Sequence, residues 1–65
     1  MEHMSVHEMK MSVAMDDIRD ADMLIGYANR AKTNGDEGAA KQFAENAMHR
    51  LDRIMAFCAE LKRML

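Results

Sequence analysis

The sequence is poor in the residues that interrupt helices and in those that cross-link small folds. It has no proline, three glycines and one cysteine among 65 residues. Few helix breakers favour long, uninterrupted helices. The lone cysteine, Cys58, excludes an intrachain disulfide, and no Cys/His cluster has the spacing of a structural zinc site. Because so short a chain buries only about 60% of its unfolded surface, we expect self-association to support the fold.

A strong excess of charge of either sign and a long hydrophobic run are also missing. The formal net charge is −2, whereas a general binder of nucleic acid needs a strongly basic face. No apolar run approaches the roughly 18 to 20 residues that span a bilayer, and the N-terminus lacks the layout of a signal peptide. We therefore expect a cytoplasmic protein without membrane association and without nucleic acid as its main partner.

Apolar residues recur at alternating steps of three and four on both sides of one short polar stretch. The first half carries Met4, His7, Met11, Ala14, Ile18, Ala21, Ile25 and Ala28 at this spacing, and the second half carries Ala40, Ala44, Ala47, Leu51, Ile54, Cys58, Leu61 and Leu65. Strand alternation fits neither half, so the pattern predicts two amphipathic helices. The side chains predicted to be the most buried are Leu51, Ile54, Leu61, Ile18 and Ile25.

The residues at the ends of these segments predict how the helices start and stop. Ser5 precedes Glu8 by three residues, as in a capping box at a helix start. Asn34-Gly35 can supply the left-handed residue that ends a helix, and Asp36 can cap the next one. A link this short makes the two helices antiparallel neighbours.

The sequence therefore predicts an all-α fold, an antiparallel helical hairpin of two long helices. We expect one domain over residues 1–65, with helix 1 at about 5–33, the turn at 34–36 and helix 2 at about 37–65. Each apolar stripe is too wide for a single neighbour, so a second copy is predicted to complete a four-helix bundle. The predicted interface residues are Leu24, Phe43, Met48, Leu51, Met55, Phe57 and Met64. The expected function is non-enzymatic: association with itself in a homodimer, and then with another protein.

Two groups of polar side chains are candidates for metal or acid–base chemistry. His3 and His7 are four residues apart, on one helical face, but the capping serine between them leaves the first outside the helix. Glu45, His49 and Asp52 lie on the outer face of helix 2, whereas di-iron bundles use Glu-x-x-His pairs that face the core. We expect a solvated surface at both places, with no metal and no cofactor.

The remaining candidates also favour a protein without catalytic residues. An acidic group in helix 1 is either a solvated face or a docking patch for a basic surface, such as the Arg50 and Arg53 region of a second chain; its members are Asp16, Asp17, Asp20 and Asp22. Cys58 is expected to be a buried thiol, because a nucleophilic cysteine needs an electropositive, partly exposed setting. Gly26 indicates either close approach of another backbone or a tolerated loss of helix stability on an exposed face.

The stretch ADMLIGYANRAKTNGDEGAAKQFAENA partly resembles a tetratricopeptide repeat, with Ala28, Gly35, Asp36, Ala40 and Ala47 at the small-residue and turn positions. Phe43 is one place out of register, no terminal proline follows, and both predicted helices exceed the length of that repeat. In size and layout the chain is also similar to the plasmid RNA-binding ROP hairpin, which forms an antiparallel four-helix dimer, although no motif is shared. This similarity implies an alternative function, the binding of structured RNA or DNA.

Overall fold

Two α-helices lie side by side in the computed structural model, which describes residues 5–65. They are α1 (Val6–Thr33) and α2 (Glu37–Met64), with 28 residues each. At 1.5 Å per residue each helix is about 42 Å long. The predicted all-α helical hairpin is confirmed. The predicted roles of His3 and Met4 lie outside the described residues.

The predicted capping residues lie at the start of α1, at the end of α1 and at the start of α2. The Ser5 hydroxyl accepts a hydrogen bond from the backbone N–H of Glu8 at 3.1 Å. At the end of α1 the chain reverses through Gly35, whose φ is +80°. The Asp36 carboxylate then accepts from the N–H of Ala39 at 3.1 Å. These caps satisfy backbone groups that a helix terminus leaves without partners, and they fix the hairpin in three linking residues.

The helices meet along a seam of residues that repeats every seven positions. Its buried and half-buried members are His7, Ala14, Asp17, Ala21, Leu24, Ala28 and Ala31 on α1, and Ala40, Phe43, Ala47, Arg50, Ile54, Phe57 and Leu61 on α2. Aromatic contacts mark both ends of this seam. The rings of His7 and Phe57 lie 5.7 Å apart, and those of Tyr27 and Phe43 lie 5.5 Å apart, measured between centroids. The seven-residue repeat is the spacing of helices that stay in contact over their whole length.

The seam differs from the predicted apolar stripe by one row of residues on each helix. Leu51, Ile18 and Ile25 were predicted to be among the most buried side chains, but they are 41%, 48% and 51% exposed. That prediction is wrong for the single hairpin, and Cys58 is exposed as well. Periodicity locates the middle of a wide stripe, whereas two helices packed together use only one edge of it. The row that contains the buried alanines stays in the seam. The second seam row consists of Asp17, Leu24 and Ala31 on α1 and of Phe43, Arg50 and Phe57 on α2.

The core that the hairpin forms by itself is narrow. The buried apolar residues among those described are Ala14, Ala21 and Ala47. Alanine contributes little apolar area, and the larger apolar side chains of the seam are only half-buried; they are Leu24, Phe43, Ile54, Phe57 and Leu61. Most of the large apolar side chains lie outside this core. Among residues 5–65, no helical segment combines the length and hydropathy required to cross a membrane.

Candidate interaction surface

One side of the hairpin presents a continuous apolar surface. We call it the apolar face, and its members are Met11, Met15, Ile18, Ile25, Ala44, Met48, Leu51, Met55 and Cys58, all of them exposed. They occupy two rows on each helix that flank the seam and repeat every seven residues. Because the seam keeps the same repeat, these rows run parallel to it along the molecule. The apolar face therefore extends from Met11 to Ile25 on α1 and from Ala44 to Cys58 on α2, about 21 Å or half the length of the hairpin, and has the width of two helices.

A shallow groove shows directly that the rows of the two helices lie on the same side. It has a volume of about 470 Å³ and is lined by Ile25 and Ala28 from α1 and by Ala44, Met48 and Leu51 from α2, among others. Its lining combines large side chains with alanines. This alternation of large and small residues is suited to receiving side chains from another helical layer.

The predicted interface residues divide into two sets in the structure. Met48, Leu51 and Met55 belong to the apolar face, and Met64 is exposed at the end of α2. The other predicted members lie in the seam, where α1 and α2 half-bury them against each other; they are Leu24, Phe43 and Phe57. Methionine side chains are flexible and polarizable, so the first set can adapt to a partner surface.

The opposite side of the hairpin carries a buried ion pair that the sequence did not predict. Asp17 is only 2% exposed, and its Oδ1 accepts a hydrogen bond from Arg53 Nη2 at 2.5 Å. Its Oδ2 atom is buried and has no hydrogen-bond partner within residues 5–65, and neither has the buried Nε of Arg50. One member of the predicted acidic patch is therefore part of the seam, and it pairs with an arginine of its own chain.

A second ion pair closes the same side nearer the chain ends. Lys10 Nζ and Glu60 Oε1 are 2.9 Å apart, and both side chains are partly exposed. The hydrogen bond and the positive charge of Lys10 lower the pKa of the Glu60 carboxyl below its ordinary value. Between the two ion pairs lies an apolar groove of about 410 Å³, lined by Val13, Phe57 and their neighbours.

The remaining polar candidates do not converge. Glu45, His49 and Asp52 are all exposed on the outer side of α2. Asp16 on α1 is exposed as well, and its Oδ1 lies 4.0 Å from Nη1 of Arg19. In the part of the chain that the structure describes, no three His, Cys, Asp or Glu side chains are grouped so that they could hold a metal ion. A Cβ at Gly26 would meet no atom within 4 Å, so no backbone of the same chain approaches there.

Comparison with known proteins adds no relative. The chain matches no protein-family model, no curated protein and no solved structure. The functional argument therefore rests on the two faces of the hairpin.

Proposed function

We propose that this protein is a non-enzymatic helical module that associates with itself, the apolar face of one copy covering that of another in a four-helix homodimer. The observation that carries the proposal is the distribution of apolar side chains. The hairpin buries three alanines, while a continuous row of Met, Ile and Leu side chains stands in water. A face of this size on a soluble helical protein indicates an interaction site.

The amount of exposed apolar surface is large enough for a stable dimer. Seven large side chains of the apolar face are 41% to 69% exposed: Met11, Met15, Ile18, Ile25, Met48, Leu51 and Met55. Burying the exposed part of one such side chain contributes roughly 1 kcal/mol, or about 14 kcal/mol for both copies. Association costs about 4 to 15 kcal/mol in lost freedom. The apolar term is thus of the size that dimerisation requires.

A second copy is the occupant that fits the face best, because the face offers its own complement. It combines the large, protruding side chains of Ile25 and Leu51 with the small side chains of Ala28 and Ala44, which leave room above them, on one surface. A two-fold axis can bring such protruding and recessed positions together twice, as isologous interfaces do. The dimer would then present the outer faces of all four helices to a further protein partner.

The experiment that tests the proposal compares two matched substitutions by sedimentation equilibrium. Ile18 lies on the apolar face and is 48% exposed, while Met23 lies on the outer side of the same helix and is 47% exposed. We expect Ile18→Gln to remove roughly 1 kcal/mol per copy, and so to weaken the dimer about 30-fold. Met23→Gln should leave the dimer unchanged, because its side chain faces away from the interface.

Two outcomes would contradict the proposal. The first is a folded 7.4 kDa monomer that persists at high micromolar concentration. The second is a dimer that Met23→Gln weakens as much as Ile18→Gln. A gel-shift titration with mixed RNA tests the alternative function. We expect no micromolar, salt-sensitive binding, because Lys10 and Arg53 already bind carboxylates of their own chain.

A further inference from the structure

We propose that the two copies pack with their turns at the same end, so that α1 of each lies against α2 of the other. The two-fold axis then runs parallel to the helices. This inference rests on the proposed function, because it takes the apolar face as the dimer interface. The inference specifies which helix of one copy contacts which helix of the other. It follows from the charged residues at the borders of the apolar face.

Only two symmetric arrangements place one apolar face on the other over its full length. If the two-fold axis is parallel to the helices, α1 covers α2 of the partner and the turns lie together. If the axis is perpendicular to the helices and parallel to the face, α1 covers α1 of the partner, α2 covers α2, and the turns lie at opposite ends. All neighbouring helices are antiparallel in both arrangements, so helix direction does not distinguish them.

Contacts within one chain show which residues of α1 and α2 lie at the same height. Lys10 binds Glu60, Asp17 binds Arg53, and the Tyr27 ring contacts the Phe43 ring. Each step forward along α1 is therefore matched by an equal step backward along α2. In the same-end arrangement this relation also holds between the two copies, since the two-fold axis leaves heights unchanged.

The outer borders of the apolar face carry charges of opposite sign on the two helices. The border row of α1 consists of Glu8, Met15, Asp22 and Asn29, and that of α2 consists of Lys41, Met48, Met55 and Lys62. Asn29, Lys41 and Met48 line the groove on the apolar face, which places both rows on this side. The α1 border is acidic, and the α2 border is basic at both of its ends.

In the same-end arrangement these borders complement each other. Glu8 comes opposite Lys62 of the partner subunit, and Met15 comes opposite Met55 of the partner subunit. Inside the borders, Ile25 comes opposite Ala44 of the partner subunit, which places a large side chain over a small one. Each relation occurs twice in the dimer. An ion pair at the rim and apolar contacts within it are the usual composition of a protein interface.

The opposite-end arrangement brings like with like. Lys41 comes opposite Lys62 of the partner subunit, and this contact occurs twice in the dimer. Two ammonium groups that face each other across an interface repel each other. A carboxylate faces a methionine in both arrangements: Asp22 comes opposite Met48 of the partner subunit in the same-end dimer and opposite Met15 of the partner subunit in this one, so this contact does not distinguish them. The arrangements differ in the partner of Lys62, which is Glu8 of the partner subunit in the same-end dimer and Lys41 of the partner subunit in the opposite-end dimer, and this difference favours the same-end dimer.

Distance measurement between labels in the turn separates the two arrangements. We would attach a nitroxide to Asn34→Cys in a Cys58→Ala background and measure the distance between the two labels by pulsed electron paramagnetic resonance. Neighbouring helices lie 8–10 Å apart, so the same-end dimer places the labels at about 15 to 25 Å. The opposite-end dimer separates them by about one helix length, roughly 40 Å or more.

Sedimentation equilibrium of the same labelled protein distinguishes failure of this inference from failure of the proposed function. A dimer with the short distance supports the same-end arrangement. A dimer with the long distance overturns the arrangement and leaves self-association standing. A monomer at the labelling concentration, for this variant and for the unaltered chain, overturns both.

The sign of one charge substitution gives an independent test. Lys62→Glu places an acid opposite Glu8 of the partner subunit in the same-end dimer, so we expect it to weaken dimerisation about threefold or more. The double variant Glu8→Lys/Lys62→Glu should recover most of this loss. In the opposite-end dimer Lys62→Glu would instead relieve the repulsion from Lys41 and strengthen association. A strengthened dimer would therefore overturn the inference.

Discussion

Removing either member of the buried ion pair should have very different effects on stability. Asp17 lies in the seam at 2% exposure with one oxygen unpartnered, whereas the side chain of Arg53, which binds the other oxygen, is 55% exposed. We predict that Arg53→Met destabilises the protein clearly and that Asp17→Ala changes its stability little. The effects differ because Arg53→Met leaves a buried carboxylate behind, whereas Asp17→Ala leaves a mostly exposed guanidinium.

After Arg53→Met, a buried carboxylate remains without its cation. Breaking a fully buried pair in this way costs about 3 to 5 kcal/mol, and because Arg53 is more than half exposed, we reduce this figure to about 1 to 2 kcal/mol. After Asp17→Ala, the arginine side chain can extend into water. The seam gains another alanine between Ala14 and Ala21, and the desolvated oxygen disappears. Removing this desolvated oxygen offsets the loss of the ion pair, so we expect the free energy of unfolding to change by no more than about 1 kcal/mol.

Urea unfolding at one fixed protein concentration measures these differences. Arg19→Met is the control, because Arg19 and Asp16 form an exposed contact at 4.0 Å and should contribute less than about 0.5 kcal/mol. The double variant Asp17→Ala/Arg53→Met should be as stable as Asp17→Ala alone, since the arginine no longer has a buried charge to neutralise. If Asp17→Ala proved more destabilising than Arg53→Met, the reasoning about the desolvated carboxylate would be refuted.

Three further substitutions test local features by thermal unfolding at one protein concentration. Gly26→Ala should stabilise the protein by about 1 kcal/mol, because the added Cβ meets no atom within 4 Å; destabilisation would indicate a contact with a partner at this position. Gly35→Ala should destabilise it by about 1 to 2 kcal/mol, because φ is +80° there. Glu60→Gln should lower the unfolding midpoint at neutral pH. Because Lys10 lowers the pKa of Glu60 in the folded state, this difference should shrink as the pH falls from the ordinary value of 4.5 through the lower folded value; a constant difference would contradict it.

The sequence was sufficient to predict the helices, their caps and the turn, because these depend on local chemistry. Ser5, Gly35 and Asp36 each act on backbone groups within five residues of themselves, so their roles can be inferred from neighbouring positions. The alternation of three and four identified the apolar stripe for the same reason. It did not identify which edge of the stripe contacts the second helix, because that depends on how the two helices pack against each other and not on local sequence.

Asp17 illustrates what the sequence could not show. It stands in a run of acidic residues, and composition alone suggested a solvated or docking surface. The structure instead places it in a seam row whose other members on α1 are apolar, such as Leu24 and Ala31, and opposite a row on α2 that contains Arg50. A partial signal was present, since Asp17 and Arg50 occupy matching seam positions on the two helices, although the guanidinium that binds Asp17 belongs to Arg53. Using it would have required the seam to be assigned correctly first.

In the proposed dimer, folding and dimerisation would be coupled, because the core of one hairpin is small and its apolar face is wide. The seam inside one hairpin buries little more than Ala14, Ala21 and Ala47, so most of the apolar stabilisation becomes available only when two copies meet. For such a protein the unfolding midpoint depends on concentration. A tenfold increase in concentration adds about 1.4 kcal/mol to the stability of a dimer. With an unfolding entropy of about 2.1 cal/mol/K per residue for two chains, the midpoint should rise by about 5 °C. Calorimetry over a hundredfold concentration range measures this rise directly. A midpoint that stays constant over this range would show that the hairpin is stable alone, and that its apolar face is exposed in the native protein.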